Sequence, residues 1–187
     1  MRVISGIARG HKLLTPEGLD TRPTTDRIKE TLFNIIAFDL PECEFLDIFA
    51  GSGAMGIEAL SRGAKRATFI DKSEVCTSLI LENLEHTKLT EKAEVLKKDI
   101  DSGIAALCTE KVKFDIIFMD PPYESGLMIP TLKAIVDSKI LKEDGYVVVE
   151  RSSKVPLLPV DGMKIIREKE YRTTVMTFLS LEENTKC

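Results

Sequence analysis

The feature that most restricts the fold of this chain is an alternation of strand-length apolar runs with segments of helical spacing. The runs are Glu44 to Ala50, Arg66 to Asp71, Ala93 to Lys98, Phe114 to Met119 and Tyr146 to Glu150. Strands that are apolar on both faces need cover on both faces, so the alternation predicts a parallel sheet between two helical layers. From Met163 onward the pattern changes to Lys164 to Tyr171 and Thr173 to Leu181, joined almost directly through Arg172. That predicts a terminal antiparallel hairpin and a mainly parallel seven-stranded α/β sheet.

Helices are expected where apolar residues recur at helical spacing. Thr24 to Phe38 carries Ile28, Leu32, Ile35 and Ile36, with Thr24 or Thr25 as N-cap and Asp26 in the first turn. A second helix is expected from Ser52 to Arg62-Gly63 and a third from Ser73 to about His86, with serine as the starting cap in both. The 187 residues suit one domain, residues 1–187, and 43% hydrophobic with 30% charged residues excludes disordered, collagenous and coiled-coil classes. Cys43, Cys76, Cys108 and Cys187 are far apart and read as reduced thiols; without an apolar run of membrane or signal length, the expected location is cytoplasmic and no membrane is involved.

The first apolar strand runs into Ala50-Gly51-Ser52-Gly53-Ala54-Met55-Gly56, a GxGxxG pattern between strand and helix. Such a loop brings backbone and a helix N-terminus close to a ligand. Twenty residues after Gly51, Asp71 closes the next strand, where a carboxylate can accept from both hydroxyls of a ribose. Loop and acid point to an adenosine-containing cofactor, and either NAD or S-adenosylmethionine fits. Asp47, inside the apolar first strand, favours a cationic ligand over a pyrophosphate, although an aspartate that simply accepts an N–H is the other reading. Asp99 is placed to accept from an adenine amino group, and equally to cap a helix.

The strongest local motif is Asp120-Pro121-Pro122-Tyr123 at the end of the Phe114 to Met119 strand. An exocyclic nucleobase amine is a poor nucleophile because its lone pair is delocalised into the ring. Two acceptors on its N–H groups, the Asp120 carboxylate and the Pro121 carbonyl, favour a pyramidal nitrogen. Prolines fix the backbone and remove competing donors, and Tyr123 offers a face for the base to stack on. Methyl transfer by direct displacement needs alignment more than acid or metal chemistry, so no metal is expected.

The net charge of -4 conceals an asymmetry. Met1 to Lys29 holds six basic residues against three acids, +3, and the remainder sums to -7. A basic hairpin appendage over residues 1–20, from extended pieces Arg2 to Ser5 and His11 to Thr15, is the expected form. Arg2, Arg9, Lys12 and Arg22 are its candidate RNA contacts, and a solvated surface segment is the other reading of the same charge.

The Gly51 loop, Asp71, Asp99 and Asp120 to Tyr123 resemble amino-methyltransferases with a D/N-P-P-Y/F motif. Arg2-Val3-Ile4-Ser5-Gly6, Arg9-Gly10, Arg22-Pro23-Thr24-Thr25-Asp26-Arg27, Leu32-Phe33-Asn34, Leu46 to Gly53 and Glu58 to Ala64 are similar to the bacterial RsmD family, across nearly the whole chain. That resemblance implies a Rossmann-like class I fold and transfer of a methyl group from S-adenosylmethionine to N2 of a guanine in 16S rRNA, within the small subunit or an assembly intermediate. It implies cofactor contacts from the Asp47 to Gly53 segment, with Asp47, Ala50, Gly51, Ser52 and Gly53 foremost, and from Asp71, Lys72, Asp99 and Ile100, with the Arg22 to Asn34 segment, which holds Thr24 and Arg27, closing over the methionine end. Asp120, Pro121, Pro122 and Tyr123 are its implied catalytic residues. His11 departs from the family's arginine-rich turn. Adenine-N6 or protein-glutamine methylation, an NAD-dependent oxidoreductase and a non-catalytic RNA-binding protein stay open at this point.

Overall fold

The computed structural model describes residues 1–15, 23–122 and 126–182. Five parallel strands, β1 (Glu44–Ile48), β2 (Arg66–Asp71), β3 (Ala93–Lys97), β4 (Phe114–Met119) and β5 (Leu141–Ser152), are followed by β6 (Met163–Glu170) and β7 (Thr174–Leu181). The sheet order is β3-β2-β1-β4-β5-β7-β6, with β7 antiparallel to both neighbours. Helices α1 (Pro23–Ile35), α2 (Ala54–Ser61), α3 (Glu74–Thr87), α4 (Ile100–Thr109) and α5 (Met128–Ser138) cover the faces. β1 pairs with both β2 and β4, so the chain turns away in opposite directions from their carboxyl ends and leaves a crevice there.

Side-chain alternation along each strand builds two cores. Phe45, Phe69, Phe118 and Val148 pack on one face with Phe33, Ile57 and Leu60. Leu46, Ile48, Ile70, Ile117, Val147 and Val149 pack on the other with Ile104, Leu107, Leu132 and Ile135. The period of two therefore sends the acids that close strands, two residues beyond Phe69, Phe118 and Val148, to the first face. Gly56 lets α2 lie close on that face, since a Cβ there would stand 2.3 Å from the Phe69 ring.

The expected strands form, with shifted ends. β5 begins five residues early, at Leu141: Leu141 pairs with Phe114, and Lys142 to Gly145 fall in the irregularity before Tyr146 pairs with Ile116. α1 stops at Ile35 rather than Phe38, after which residues 36–39 form turns. Ser73 caps α3 by accepting from Cys76 N at 3.3 Å. Ser52 does not cap α2; the N-cap is Gly53, at φ 74. The glycine makes that left-handed corner accessible, leaving serine no capping position.

The first fifteen residues contain no regular strand but one antiparallel bridge, Arg2 to Lys12, with Val3 N donating to His11 O and Leu13 N to Met1 O. This segment is locked to the body by buried polar groups. Glu58, 0% exposed, accepts from Ile4 N at 2.8 Å, Ser5 N at 3.0 Å, Lys29 Nζ at 3.1 Å and Arg62 Nε at 2.8 Å. Lys29, 2% exposed, also donates to the Arg2 carbonyl. Asn83 Nδ2 donates to the carbonyls of Leu14 and Ser52, and its Oδ1 accepts from Leu14 N. The arm is thus tied to the glycine loop through one side chain. Among the described residues no helix is long and apolar enough to cross a membrane, and Cys43, Cys76 and Cys108 are free thiols; Cys187 lies outside the described residues.

Candidate active site

Four strands in a row end in acids on one face: Asp71 on β2, Asp47 within β1, Asp120 after β4 and Glu150 near the end of β5. A cavity of about 170 Å³ at the crevice is lined by Asp47, Asp120 and Glu150, by Phe49, Ala50, Gly51 and Ser52, and by Ile28 and Lys29 of α1. Among the described residues Lys29 is the one basic side chain lining it, and its ammonium is already engaged by Glu58 and the Arg2 carbonyl. The cavity therefore gathers three carboxyl groups with no uncommitted side-chain cation among its described lining, an environment that favours a positively charged ligand.

Asp47 is 1% exposed and accepts from Gly56 N, in the first turn of α2, at 2.9 Å. Both the N–H-accepting reading and the cavity-lining reading hold for it. Burial pushes its carboxyl up to about 8, against the Gly56 hydrogen bond, with the charges of Asp120 and Asp71 adding to the rise. Asp120 is exposed at the cavity mouth, yet the protein around its carboxyl raises its pKa. Glu150, half-buried, is raised by burial and then by the charge of Asp120. Like charges confined together favour holding a proton between them.

Asp71 shapes the glycine loop: Oδ2 accepts from Gly51 N at 2.9 Å and Oδ1 from Ser73 N at 2.8 Å. A carboxylate has about four acceptor positions, so further donors remain possible. Phe49, which also lines the cavity, has φ 61, a left-handed conformation strained for a bulky residue and imposed where the strand bends into the loop. Asp99 caps α4 through Ser102 N at 2.9 Å and Ser102 Oγ at 2.9 Å, so the cap reading describes its contacts in the protein. Those hydrogen bonds hold its carboxyl below the usual range.

Of the other expected residues, Pro121 is buried and lines an adjoining apolar cavity with Pro122. Lys72 and Arg27 are exposed and do not line the donor cavity; Arg27's neighbours Ile28 and Lys29 do. Tyr123, Arg22 and the side chain of Thr24 lie outside the described residues. Met1, Phe118 and Glu150 are cavity residues outside the segments that the sequence assigned to the cofactor. Glu150 had a usable signal, since Val147-Val148-Val149-Glu150 repeats the apolar-run-then-acid signature of Asp71 and Asp120.

The strand order, the glycine loop after β1 and the acids at the ends of β2 and β4 define a class I methyltransferase fold. A family model described as conserved hypothetical protein 95 matches residues 1–180. The chain belongs to this family, the RsmD family that its motifs resemble. It is 36% identical over 171 residues, 90% of this chain and 84% of the relative, to ribosomal RNA small subunit methyltransferase D of Escherichia coli strain K12. It is likewise 36% identical over 172 residues, 90% and 88% of the two chains, to the protein of that name from Haemophilus influenzae. A solved structure of a hypothetical protein from Thermus thermophilus matches with TM-score 0.82 at 26% identity, covering 97% of this chain and 99% of that one.

Proposed function

We propose that this chain transfers the methyl group of S-adenosylmethionine to the N2 amino group of a guanine in 16S rRNA of the small ribosomal subunit or its assembly intermediate, in the cytoplasm. The observation that carries the choice of cofactor is the carboxylate cluster. A dinucleotide's pyrophosphate would meet Asp47, Asp120 and Glu150 at the crevice, and the α2 N–H of Gly56 is already taken by Asp47. A cationic ligand is attracted by the same groups. The relatives named as small subunit rRNA methyltransferases support the substrate class.

In this reading Gly51 to Gly53 and Asp71 hold the ribose side of the cofactor, Asp99 and Ile100 the adenine, and Asp47 with the Thr24 to Lys29 stretch the methionine end. Bound S-adenosylmethionine supplies an electrophilic methyl carbon on positively charged sulfur. Asp120 and the Pro121 carbonyl accept from the guanine amine and aim its lone pair, and Tyr123 stacks on the base. Most of the rate comes from that alignment, and the amine proton passes to Asp120 or to water. The target base must leave any stack to reach the site.

Two measurements test the reading. S-adenosylhomocysteine should stabilise the protein against thermal unfolding and NADH should not. Small subunits from cells lacking the protein should take up label from methyl-labelled S-adenosylmethionine at a single guanine. Label on adenine, on a protein amide or nowhere refutes it.

Donor binding should also depend on pH. Asp47 and Glu150, both raised to about 8, hold protons in the free protein near neutrality, Asp120, raised to about 6, holds one only below it, and a cation favours the ionised forms of all three. Affinity for S-adenosylmethionine should therefore rise with pH from the ordinary carboxylate range up to about 8 and level off above it. In the ligand-free protein the same raised values lower folding stability across that window, because the native state then holds more protons than the unfolded chain. Calorimetric titrations from pH 5 to 9 check this; a flat profile, unaltered by Asp47→Asn, overturns it.

Arg2, Arg9 and Lys12 are exposed on the docked arm and form no ion pair among the described residues. Val3, Ala8 and Leu13, buried between them, fix the segment so that these charges face outward. With Arg22, they are proposed to contact phosphates. Replacing Arg2, Arg9 and Lys12 with alanine should reduce the slope of log affinity for rRNA against log salt by about 2. An unchanged slope in filter-binding titrations rejects the contact.

A further inference from the structure

β4 and β5 run side by side with Phe118 opposite Val148 and Met119 opposite Val149. The next residue on each strand is an acid, Asp120 and Glu150. Beyond this edge lies a second cavity of about 330 Å³, walled by Pro121, Pro122, Leu127, Met128, Val155 and Pro156, whose surface is mainly apolar. Of the described residues lining either cavity, Glu150 alone lines both. It stands at the boundary between the acidic pocket assigned to the methyl donor and an apolar pocket large enough for a purine ring.

We infer that the Glu150 carboxylate accepts the N1–H of the target guanine while Asp120 accepts from its 2-amino group, which makes Glu150 a specificity-determining residue. The inference rests on the guanine-N2 reading above and deepens it. Guanine presents N1–H and N2–H side by side, two donors that match two acids on neighbouring strands. Adenine presents a bare N1 lone pair at the same place, and the ionised Glu150 carboxylate, the form that prevails above about pH 8, would face that acceptor with no hydrogen between them. Such mismatches at built polar sites discriminate strongly, because the site's own group is left unpaired. Arg151 and Ser152 also line this cavity, but the Arg151 guanidinium is engaged by Thr177, the Val155 carbonyl and Glu168, so the reading of N1 and N2 falls chiefly on the acids. Burial and the charge of Asp120 make Glu150 costly to ionise in the free protein, and an N–H aimed at it offsets that cost.

The test uses the full chain and small subunits rebuilt with 2,6-diaminopurine at the labelled position. That base keeps the 2-amino group but turns N1 from donor to acceptor. At pH 9, where the Glu150 carboxyl is ionised, the parent enzyme should methylate guanine about 100-fold faster than diaminopurine. Glu150→Gln should shrink that ratio at least about tenfold, because its amide N–H can donate to the bare N1. If Glu150→Gln fails to bind S-adenosylhomocysteine, Glu150→Ser serves instead and should bring the ratio toward one. A parent enzyme that accepts diaminopurine as readily as guanine, or a variant that methylates both but keeps the parental ratio, overturns the inference while leaving guanine methylation intact. A parent enzyme that labels no guanine defeats the functional reading itself.

Discussion

Asp120→Ala is expected to slow methyl transfer by roughly 10²- to 10⁴-fold, the range ordinarily lost with a positioned acid or base. Donor affinity should fall far less, because Asp47 and Glu150 remain in the cavity wall. The contrast between rate and affinity separates a residue that orients the amine from one that only attracts the donor. Asp120→Asn should retain more activity than Asp120→Ala, since its carbonyl oxygen still accepts an N–H. Single-turnover transfer to small subunits, with binding measured separately by calorimetry, gives both quantities. An alanine variant as fast as the parent would remove the acceptor pair from the mechanism.

The largest loss of stability is expected from Glu58→Gln. The Glu58 carboxylate is fully buried and answers four donors, two of them cationic side chains. Replacement leaves the 2% exposed Lys29 ammonium without its counter-charge. Breaking one partner of such a buried pair costs about 3 to 5 kcal/mol. For a chain of this size that is a fall of roughly 10 °C in melting temperature. Removing both charges together, as Lys29→Met with Glu58→Met, should recover much of the loss, because desolvated ions are themselves expensive to hold. Urea unfolding of the three proteins measures it, and a shift below about 1 kcal/mol for Glu58→Gln would show that the cluster is not what fixes the arm.

The parts of the fold legible in the sequence are those governed by short-range pattern. β1, β2 and β4 announce themselves as apolar runs because both sheet faces are covered, and Asp71 and Asp120 stand out as acids ending such runs. The glycine loop is legible because few other residues tolerate its turn. Glu58 and Lys29 are different. On their helices they look like ordinary solvated charges, and their burial depends on a partner 29 residues away and on the arm folding over them. Nothing in helical spacing encodes that. Glu150 carries the strand-ending signature but lacks a following proline pair, and only the pairing of β5 with β4 places it beside Asp120. The early start of β5 is hidden for a related reason: Lys142 to Asp144 are polar, and Gly145 is fixed by close packing, since a Cβ there would stand 2.8 Å from the Asp115 carbonyl.

The clustered acids also bear on turnover. A donor enters this crevice bearing a positive sulfur and leaves as a neutral thioether, so the reaction erases part of the attraction that first drew the molecule in. Grip thus loosens at the moment the work is done, which favours replacement of spent cofactor by fresh.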